Sequence, residues 1–195
     1  VLISGIVAIR QALDISTGAI RQLTTRDGPD SNPRVSPNGR WIAYTGYDNS
    51  DDTWIETKLY VMASDGTGHR LLTGDLDRSV QNLKWAPDNS GIYFDVQSEG
   101  SQNLYFASLN GSEGTHMLAV DMIGENGLAV GTRSSPQEPG DIVTFNVRRP
   151  GEIRKLTDVN GDILAGKRLG EVEEIWYTSA DGWRVQGWLV KPPDF

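Results

Sequence analysis

Two stretches of the sequence match each other closely: PRVSPNGRWIAY at residues 33–44 and LKWAPDNSGIYF at residues 83–94. Each places a Pro-Asn or Pro-Asp turn between two short apolar or aromatic segments, and the turn prolines stand 50 residues apart. Proline sets the first dihedral angle of such a turn, and Asn and Gly tolerate positive φ angles, so Asn38 and Gly39 are predicted to adopt them. The pattern predicts two strands joined by a tight turn, occurring twice in the chain.

Two further elements recur in step with this pair. Arg-x-Leu-Thr occurs three times and once more in degenerate form, at residues 21–24, 70–73, 154–157 and 116–119. A short apolar element occurs three times, at residues 59–62, 104–107 and 142–145. These segments are rich in β-branched and aromatic residues and are bounded by turn residues, so each is predicted to be a strand. Four strands in every 38–50 residues is the period of a β-propeller blade.

The chain is therefore predicted to be all-β, a partial β-propeller of about 3.5 to 4 four-stranded antiparallel blades that ends in a β-hairpin, with little or no helix. The propeller and the segment that follows it are placed at residues 1–165 and 166–195. The blades are placed at residues 6–25, 33–74, 80–120 and 123–158. The first blade lacks its first strand and has strands at residues 6–10, 12–15 and 20–24, and the first strand of the last blade is weak or missing. A β-sandwich is the alternative fold, but it would not explain the phased recurrence of Arg-x-Leu-Thr.

The composition excludes several classes of function. The 195 residues carry a net charge of −8, and 37% of them are hydrophobic, which indicates a globular chain that binds neither nucleic acid nor an anionic membrane. The absence of cysteine excludes disulfides, thiolate zinc sites and a cysteine nucleophile, and it suits the cytoplasm and the periplasm equally. His69 and His116 are too few for a histidine metal cluster.

The apolar start, residues 1–9, has neither the pattern of a signal peptide nor the length of a membrane span. A chain that begins with valine is expected to be a fragment or a processed product.

The sequence also resembles known propellers. SPNG before an apolar strand, followed by LYVMASDG and HRLLTGD, resembles the TolB-like and WD40-like repeat. EEIWYTSADG at residues 173–182 and VQGWLVKPP at residues 185–193 resemble the junction between propeller and catalytic domain in serine peptidases of the prolyl oligopeptidase family, acylaminoacyl-peptidase-like branch. SSPQEP at residues 134–139, ahead of a strand at residues 141–147, is similar to the last blade of that branch.

This resemblance implies that residues 166–195 hold the linker and first hairpin of a hydrolase domain whose Ser-Asp-His triad lies elsewhere in a full-length protein. The chain contains no Gly-x-Ser-x-Gly nucleophile motif, so no catalytic residue is assigned to it.

Two acidic loops are candidate cation sites. DVNGD at residues 158–162 places oxygen ligands at alternate positions, as calcium loops do. Ile163 and Leu169 stand where a helix–loop–helix calcium loop requires Gly and Glu, so a polar turn is favoured. DNSDD at residues 48–52 is interpreted as a solvated hairpin tip. We therefore predict neither a metal site nor a cofactor.

The other polar and aromatic candidates are interpreted as structural. In a strand, Glu171 and Glu173 face one side and Glu174 the other, which favours a solvated or edge-protecting role over paired acid–base carboxylates. His69 is expected to be simply exposed. Four aromatic residues that recur in phase are expected to fill the space between blades: Trp41, Tyr44, Trp85 and Phe94. Three arginines at one blade position are expected to pair with an Asp of the next blade, with binding of a substrate carboxylate as the alternative: Arg21, Arg70 and Arg154.

Two hypotheses about function follow. In the first, the chain is the non-catalytic propeller part of a serine peptidase, and it selects short peptide substrates by steric exclusion. In the second, it is a TolB-like scaffold for protein–protein interaction without enzymatic activity. A partial propeller leaves blade faces and sheet edges open, so self-association is also expected, with a small closed four-blade ring as the alternative.

Overall fold

The computed structural model describes residues 11–110, 113–116, 122–124 and 126–194. These residues form antiparallel sheets and one short helix, α1 (Gly161–Leu164). The strands are β1 (Gln11–Leu13), β2 (Ile20–Gln22), β3 (Asp30–Val35), β4 (Trp41–Gly46), β5 (Lys58–Ala63), β6 (Arg70–Leu71), β7 (Val80–Trp85), β8 (Gly91–Ser98), β9 (Ser101–Ser108), β10 (Glu113–His116), β11 (Met122–Ile123), β12 (Leu128–Ser135), β13 (Glu138–Asn146), β14 (Arg149–Lys155), β15 (Val172–Thr178) and β16 (Arg184–Val190).

In the described part of the chain, three sheets have four strands each: β3 to β6, β7 to β10, and β11 to β14. Strands β1 and β2 form a two-stranded sheet before them, and β15 and β16 form a hairpin after them. This is the predicted partial β-propeller, with little helix. The expected strand at residues 6–10 lies outside the described residues. The first strand of the last blade, predicted to be weak or missing, is present as the two residues of β11.

The turn between the first two strands of a blade is held by its own polar groups. The Ser36 hydroxyl accepts the Trp41 N–H (3.0 Å), and the Asn38 carboxamide oxygen accepts the Arg40 N–H (3.0 Å). Gly39 has a φ of +71°, as predicted, but Asn38 has no positive φ, and that prediction was wrong. In the second copy of the turn it is Asn89 that takes the positive φ, +63°.

The first strand of two blades contains a bulge that the sequence patterns did not reveal. Asn32 and Asn82, 50 residues apart, have φ angles of +53° and +52°, and the pairing register shifts at each of them. The Asn32 carboxamide donates to the Thr45 hydroxyl (3.1 Å), and that of Asn82 donates to the Asp95 carboxylate (2.8 Å). Asn tolerates the left-handed conformation better than most residues, which explains its presence at both bulges.

The Leu-Thr pair of the Arg-x-Leu-Thr repeat has a clear structural role. Leu72 N–H donates to the Leu59 carbonyl (2.9 Å), and the Thr73 hydroxyl accepts the Leu59 N–H (2.9 Å). In the last blade, Leu156 and Thr157 make the same two bonds to Ile142 (2.8 and 2.9 Å). The threonine side chain thus replaces a backbone acceptor where the fourth strand leaves the sheet. Both backbone groups of the third-strand residue are therefore satisfied.

The core lies between the blades, where neighbouring sheets face each other. Phe94 is almost fully buried with Ala43 and Leu59 of the preceding blade, and Tyr44 is buried with residues of the first two-stranded sheet. Trp85 packs against the same cluster as Phe94, and its indole N–H donates to the Arg34 carbonyl of the preceding blade (2.7 Å). These contacts confirm that Tyr44, Trp85 and Phe94 fill the space between blades. Trp41 instead lies beside Arg70 of its own blade, whose guanidinium is 5.7 Å from the indole centroid.

Two of the repeated arginines, Arg21 and Arg70, cross between blades as predicted, but their acceptors are not the expected aspartate side chains. Arg21 donates to the backbone carbonyls of Ser64 and Asp65, and Arg70 donates to the Leu109 carbonyl (2.9 Å). Both acceptors lie in the turn after the third strand of the next blade. Main-chain carbonyls, rather than aspartate carboxylates, are thus the acceptors that hold this arginine position.

Candidate functional site

The longer loops of the second and third blades gather on one face. Strands alternate in direction, so the loop after the second strand and the connection to the next blade emerge at the same end. Hydrogen bonds join them: Thr57 N–H donates to the Ser79 hydroxyl (3.1 Å), and Val80 N–H donates to the Thr57 carbonyl (2.8 Å). We call residues 47–57, 72–79 and 99–100 the loop face. Functional side chains are most often presented on loops of this kind.

A groove crosses the loop face. It consists of two cavities, of about 340 Å³ and 220 Å³, which share Arg78 and Gln97. The larger cavity is lined by Arg78 and the β8–β9 hairpin, residues 97–102. The smaller one is lined by Arg78, Gln97, Trp54, Glu56, Asp77, Ser79 and Gln81. We call these two adjoining cavities together the loop-face groove, and the larger one falls within the size range of small-ligand sites.

The charges along the groove are mostly negative. Arg78 is bound to its sequence neighbour, with its guanidinium 3.1 Å from the Asp77 carboxylate. Glu56 and Glu99 also line the groove, and their carboxylates have no hydrogen bond or ion pair with any described residue. The groove therefore carries two uncompensated negative charges, one in each half.

The hairpin β15–β16 lies against this face. The Gln186 carboxamide donates to the Glu99 carbonyl (3.1 Å), and the Trp188 indole covers Gly100 so closely that a Cβ there would lie 3.0 Å from the indole nitrogen. At the last blade, the Gln137 carboxamide donates to the Gly170 carbonyl (3.1 Å). These contacts fix the hairpin beside the larger half of the groove.

The chain is similar in sequence to known peptidases. No family model matches the chain. Dipeptidyl-peptidase 5 of Porphyromonas gingivalis is 30% identical over 175 residues, a match that covers 86% of this chain and 25% of that protein. This similarity agrees with the resemblance to serine peptidases of the prolyl oligopeptidase family that the sequence motifs show. It spans about a quarter of the length of the curated relatives it matches.

Solved structures show the same fold as this chain. Acylaminoacyl peptidase of Pyrococcus horikoshii superposes with a TM-score of 0.68 at 22% identity, covering 90% of this chain and 27% of that one. TolB from Acinetobacter baumannii superposes with a TM-score of 0.53 at 17% identity, covering 75% of this chain and 37% of that one. Both likenesses confirm the propeller architecture.

The glutamates before and within the family-like hairpin do not form an acid–base pair. Glu173 and Glu174 face opposite sides of the hairpin, as predicted, and Glu171 precedes the strand. Glu173 forms an ion pair with Lys191 (2.5 Å), and Glu174 accepts hydrogen bonds from the side chains of Gln186 (3.0 Å) and Trp176. All three glutamates are exposed, which confirms the solvated role expected for them.

The two acidic loops are engaged by basic side chains. Asp48 lies 3.5 Å from the Arg26 guanidinium. Lys155 lies between Asp141 (2.8 Å) and Asp158 (2.9 Å), and its hydrogen bond is the main cause that lowers the pKa of Asp141 to about 2. In the described ranges, no group of three His, Asp or Glu side chains is arranged to hold a metal ion.

His69 is exposed, as predicted, but it also has a specific partner. Its Nδ1 lies 2.9 Å from the Tyr44 hydroxyl and its Nε2 lies 3.0 Å from the Gly66 carbonyl. A carbonyl can only accept, so Nε2 carries a proton, and in the neutral imidazole Nδ1 then accepts from Tyr44. Burial raises the pKa of Tyr44, which keeps its hydroxyl protonated for this bond. The pair borders a separate cavity of about 310 Å³ between the first two blades.

Sequence reasoning missed the residues of the loop-face groove. Trp54 and Arg78 lie in loops that differ from blade to blade, so no repeat pointed to them. A signal did exist at Glu99-Gly100, since two residues between two strands, the second of them Gly, predict a tight hairpin turn. None of the helical residues described here forms a stretch that could cross a lipid bilayer.

Proposed function

We propose that this chain is part of the propeller of a serine peptidase, and that the propeller admits short or unstructured peptides to a separate catalytic domain while excluding folded proteins. The observation that carries the proposal is the 30% identity to a dipeptidyl-peptidase over most of the chain. The chain itself contributes no nucleophile, because it has no Gly-x-Ser-x-Gly motif.

The position of the β15–β16 hairpin supports this role. The hairpin is the segment whose sequence resembles the family's junction with the catalytic domain, and it lies against the loop face through Gln186 and Trp188. A catalytic domain built onto this hairpin would stand over the loop face. Substrates would then reach it past the loop-face groove, where selection by size is possible.

Two measurements test the proposal. The coding sequence after Phe195 should continue in frame and encode a Gly-x-Ser-x-Gly motif followed by an Asp and a His, the chain order of an α/β-hydrolase triad. The chain alone should hydrolyse peptide p-nitroanilides no faster than the blank. A stop codon directly after Phe195, or hydrolysis by the chain alone, would contradict the proposal.

Selection by size needs the complete protein. We expect its kcat/KM for a short peptide to be at least about tenfold higher than for the same sequence displayed in a loop of a folded protein. A substrate that is excluded from the catalytic site reacts with a lower kcat/KM, so this ratio measures the selection by size. Equal values for the two substrates would show that the propeller does not exclude folded proteins.

A further inference from the structure

We propose that the loop-face groove binds short extended peptides and selects those with basic side chains, through Glu56, Glu99 and Trp54. The inference rests on the proposed function in that it names the substrate class the propeller would favour. Binding to the groove is nevertheless measurable on this chain alone. Failure of the inference can therefore be told apart from failure of the proposed function.

The charge of the groove favours a cationic ligand. Glu56 and Glu99 sit in different halves of the groove, and neither carboxylate is paired with a described residue. The cation of the groove, Arg78, is already held by Asp77. Lys or Arg side chains of a bound peptide would complete two ion pairs, whereas Asp or Glu would face like charges.

Trp54 adds a second, independent preference for the same ligand. Its side chain lines the smaller half of the groove beside Glu56 and is 74% exposed. A ligand that packs against this exposed indole ring would bury its apolar surface. Tryptophan is enriched among the residues that contribute most to binding energy at interfaces. Its ring face also attracts ammonium and guanidinium groups, which strengthens the selection for basic side chains.

Glu99 occupies a turn position at which glutamate is strained. Glu99 and Gly100 are the two central residues of the β8–β9 turn, with φ angles of +50° and +67°. Such a turn favours Asn, Asp or Gly at its first position, and glutamate is strained there. The strain holds a carboxylate at the rim of the groove, where an unstrained Asn would leave no charge.

Uncharged groups in the groove suit the backbone of a peptide. Gln97 is shared by both halves, with Gln81 and Gln102 on either side of it. The Gln102 carboxamide donates to the Asp95 carboxylate (3.0 Å), so Gln81 and Gln97 are the carboxamides whose donors and acceptor can bind peptide N–H and C=O groups regardless of sequence. The backbone would thus be held by amides, and the choice of side chain would be made by the two glutamates and Trp54.

The test uses two capped peptides, acetyl-Ala-Lys-Ala-Lys-amide and acetyl-Ala-Glu-Ala-Glu-amide, titrated into the ¹⁵N-labelled chain. We expect the lysyl peptide to shift amide resonances at residues 54–56, 77–81 and 97–102 and to bind about three- to tenfold more tightly than the glutamyl peptide at low salt, the range that two exposed ion pairs supply. Trp54→Ala should weaken the lysyl peptide while leaving part of the charge preference.

Three charge variants decide the role of the glutamates. Glu56→Gln and Glu99→Gln should each reduce the preference for the lysyl peptide, whereas Asp51→Asn, on the same loop as Trp54 but outside the groove, should leave it unchanged. Glu99→Asn should reduce the preference and also raise the urea midpoint, because it relieves the strained turn. Retained amide dispersion in each variant shows that it is folded.

The inference is overturned if the resonance shifts lie elsewhere, if the glutamyl peptide binds as tightly, or if Asp51→Asn lowers the preference as much as Glu56→Gln. The last result would mean that net charge alone attracts the peptide. None of these results would contradict the proposed role in a peptidase. Conversely, a gene that encodes no catalytic domain would contradict that role but not peptide binding by the groove.

Discussion

Replacing Thr73 by Val tests the physical reason for the Leu-Thr repeat. Thr73 is fully buried, and its hydroxyl accepts the N–H of Leu59, which is also fully buried. Valine keeps nearly the same volume but cannot accept a hydrogen bond, so the Leu59 N–H is left unsatisfied away from water. Such a group costs about 1–3 kcal/mol. The added methyl group recovers about 0.8 kcal/mol, so the variant should be less stable by up to about 2 kcal/mol.

Urea unfolding followed by circular dichroism measures this loss. With a slope of about 2 kcal/mol per molar urea, the midpoint should fall by up to about 1 M while the slope stays the same. Hydrogen exchange adds a local measurement: the Leu59 amide should lose protection in Thr73→Val and keep it in Thr73→Ser, which retains the acceptor. Thr53→Val, at an exposed position in the β4–β5 loop, serves as the control and should change the stability by less than about 0.5 kcal/mol.

Burial alone would predict the opposite sign, because valine is more apolar than threonine. If Thr73→Val is as stable as the natural sequence, or if its Leu59 amide exchanges at the original rate, the Thr73 hydroxyl does not complete the sheet. The hydrogen-bond explanation of the repeat would then be refuted.

Three further predictions follow from other contacts. Because Asp141 has a lowered pKa of about 2, its ion pair stabilises the fold above the ordinary pKa of 3.8, and this stabilisation is lost as the pH falls from about 4 to 2. Lys155→Met should reduce the decrease in stability measured between about pH 4 and pH 2. An unchanged decrease would show that Lys155 is not responsible. Trp85→Phe removes the indole bond to the Arg34 carbonyl and should cost about 1 kcal/mol in urea unfolding, whereas no loss would mean that water replaces the bond. We also propose that the isolated chain self-associates through its open blade edges, more strongly at high salt because salt screens the repulsion between copies of net charge −8; sedimentation at micromolar concentration as a single 21.4 kDa species would contradict this.

The repeats were sufficient to predict the architecture because each one marks a local event. A Pro-Asn-Gly turn, a short apolar run and a Leu-Thr strand end are all decided within a few residues, and their recurrence sets the blade period. The aromatic residues between blades were predictable for the same reason. The turn conformation of Asn38 was not, because Asn38 and Asn89 are both compatible with positive φ and only the packed turn selects between the possible positions.

The groove depends on contacts that no local pattern contains. Trp54, Arg78 and Glu99 come from three loops of two blades, and they meet only because antiparallel strands bring those loops to the same face. The partners of the repeated arginines were likewise decided by the stacking of one blade on the next, which presents a carbonyl where an aspartate was expected. The amino-acid sequence by itself determined the strands, their turns and their period, since these arise from backbone preference and local burial. Only the tertiary structure decided which loop side chains lie together, because that depends on the distance and direction between whole blades.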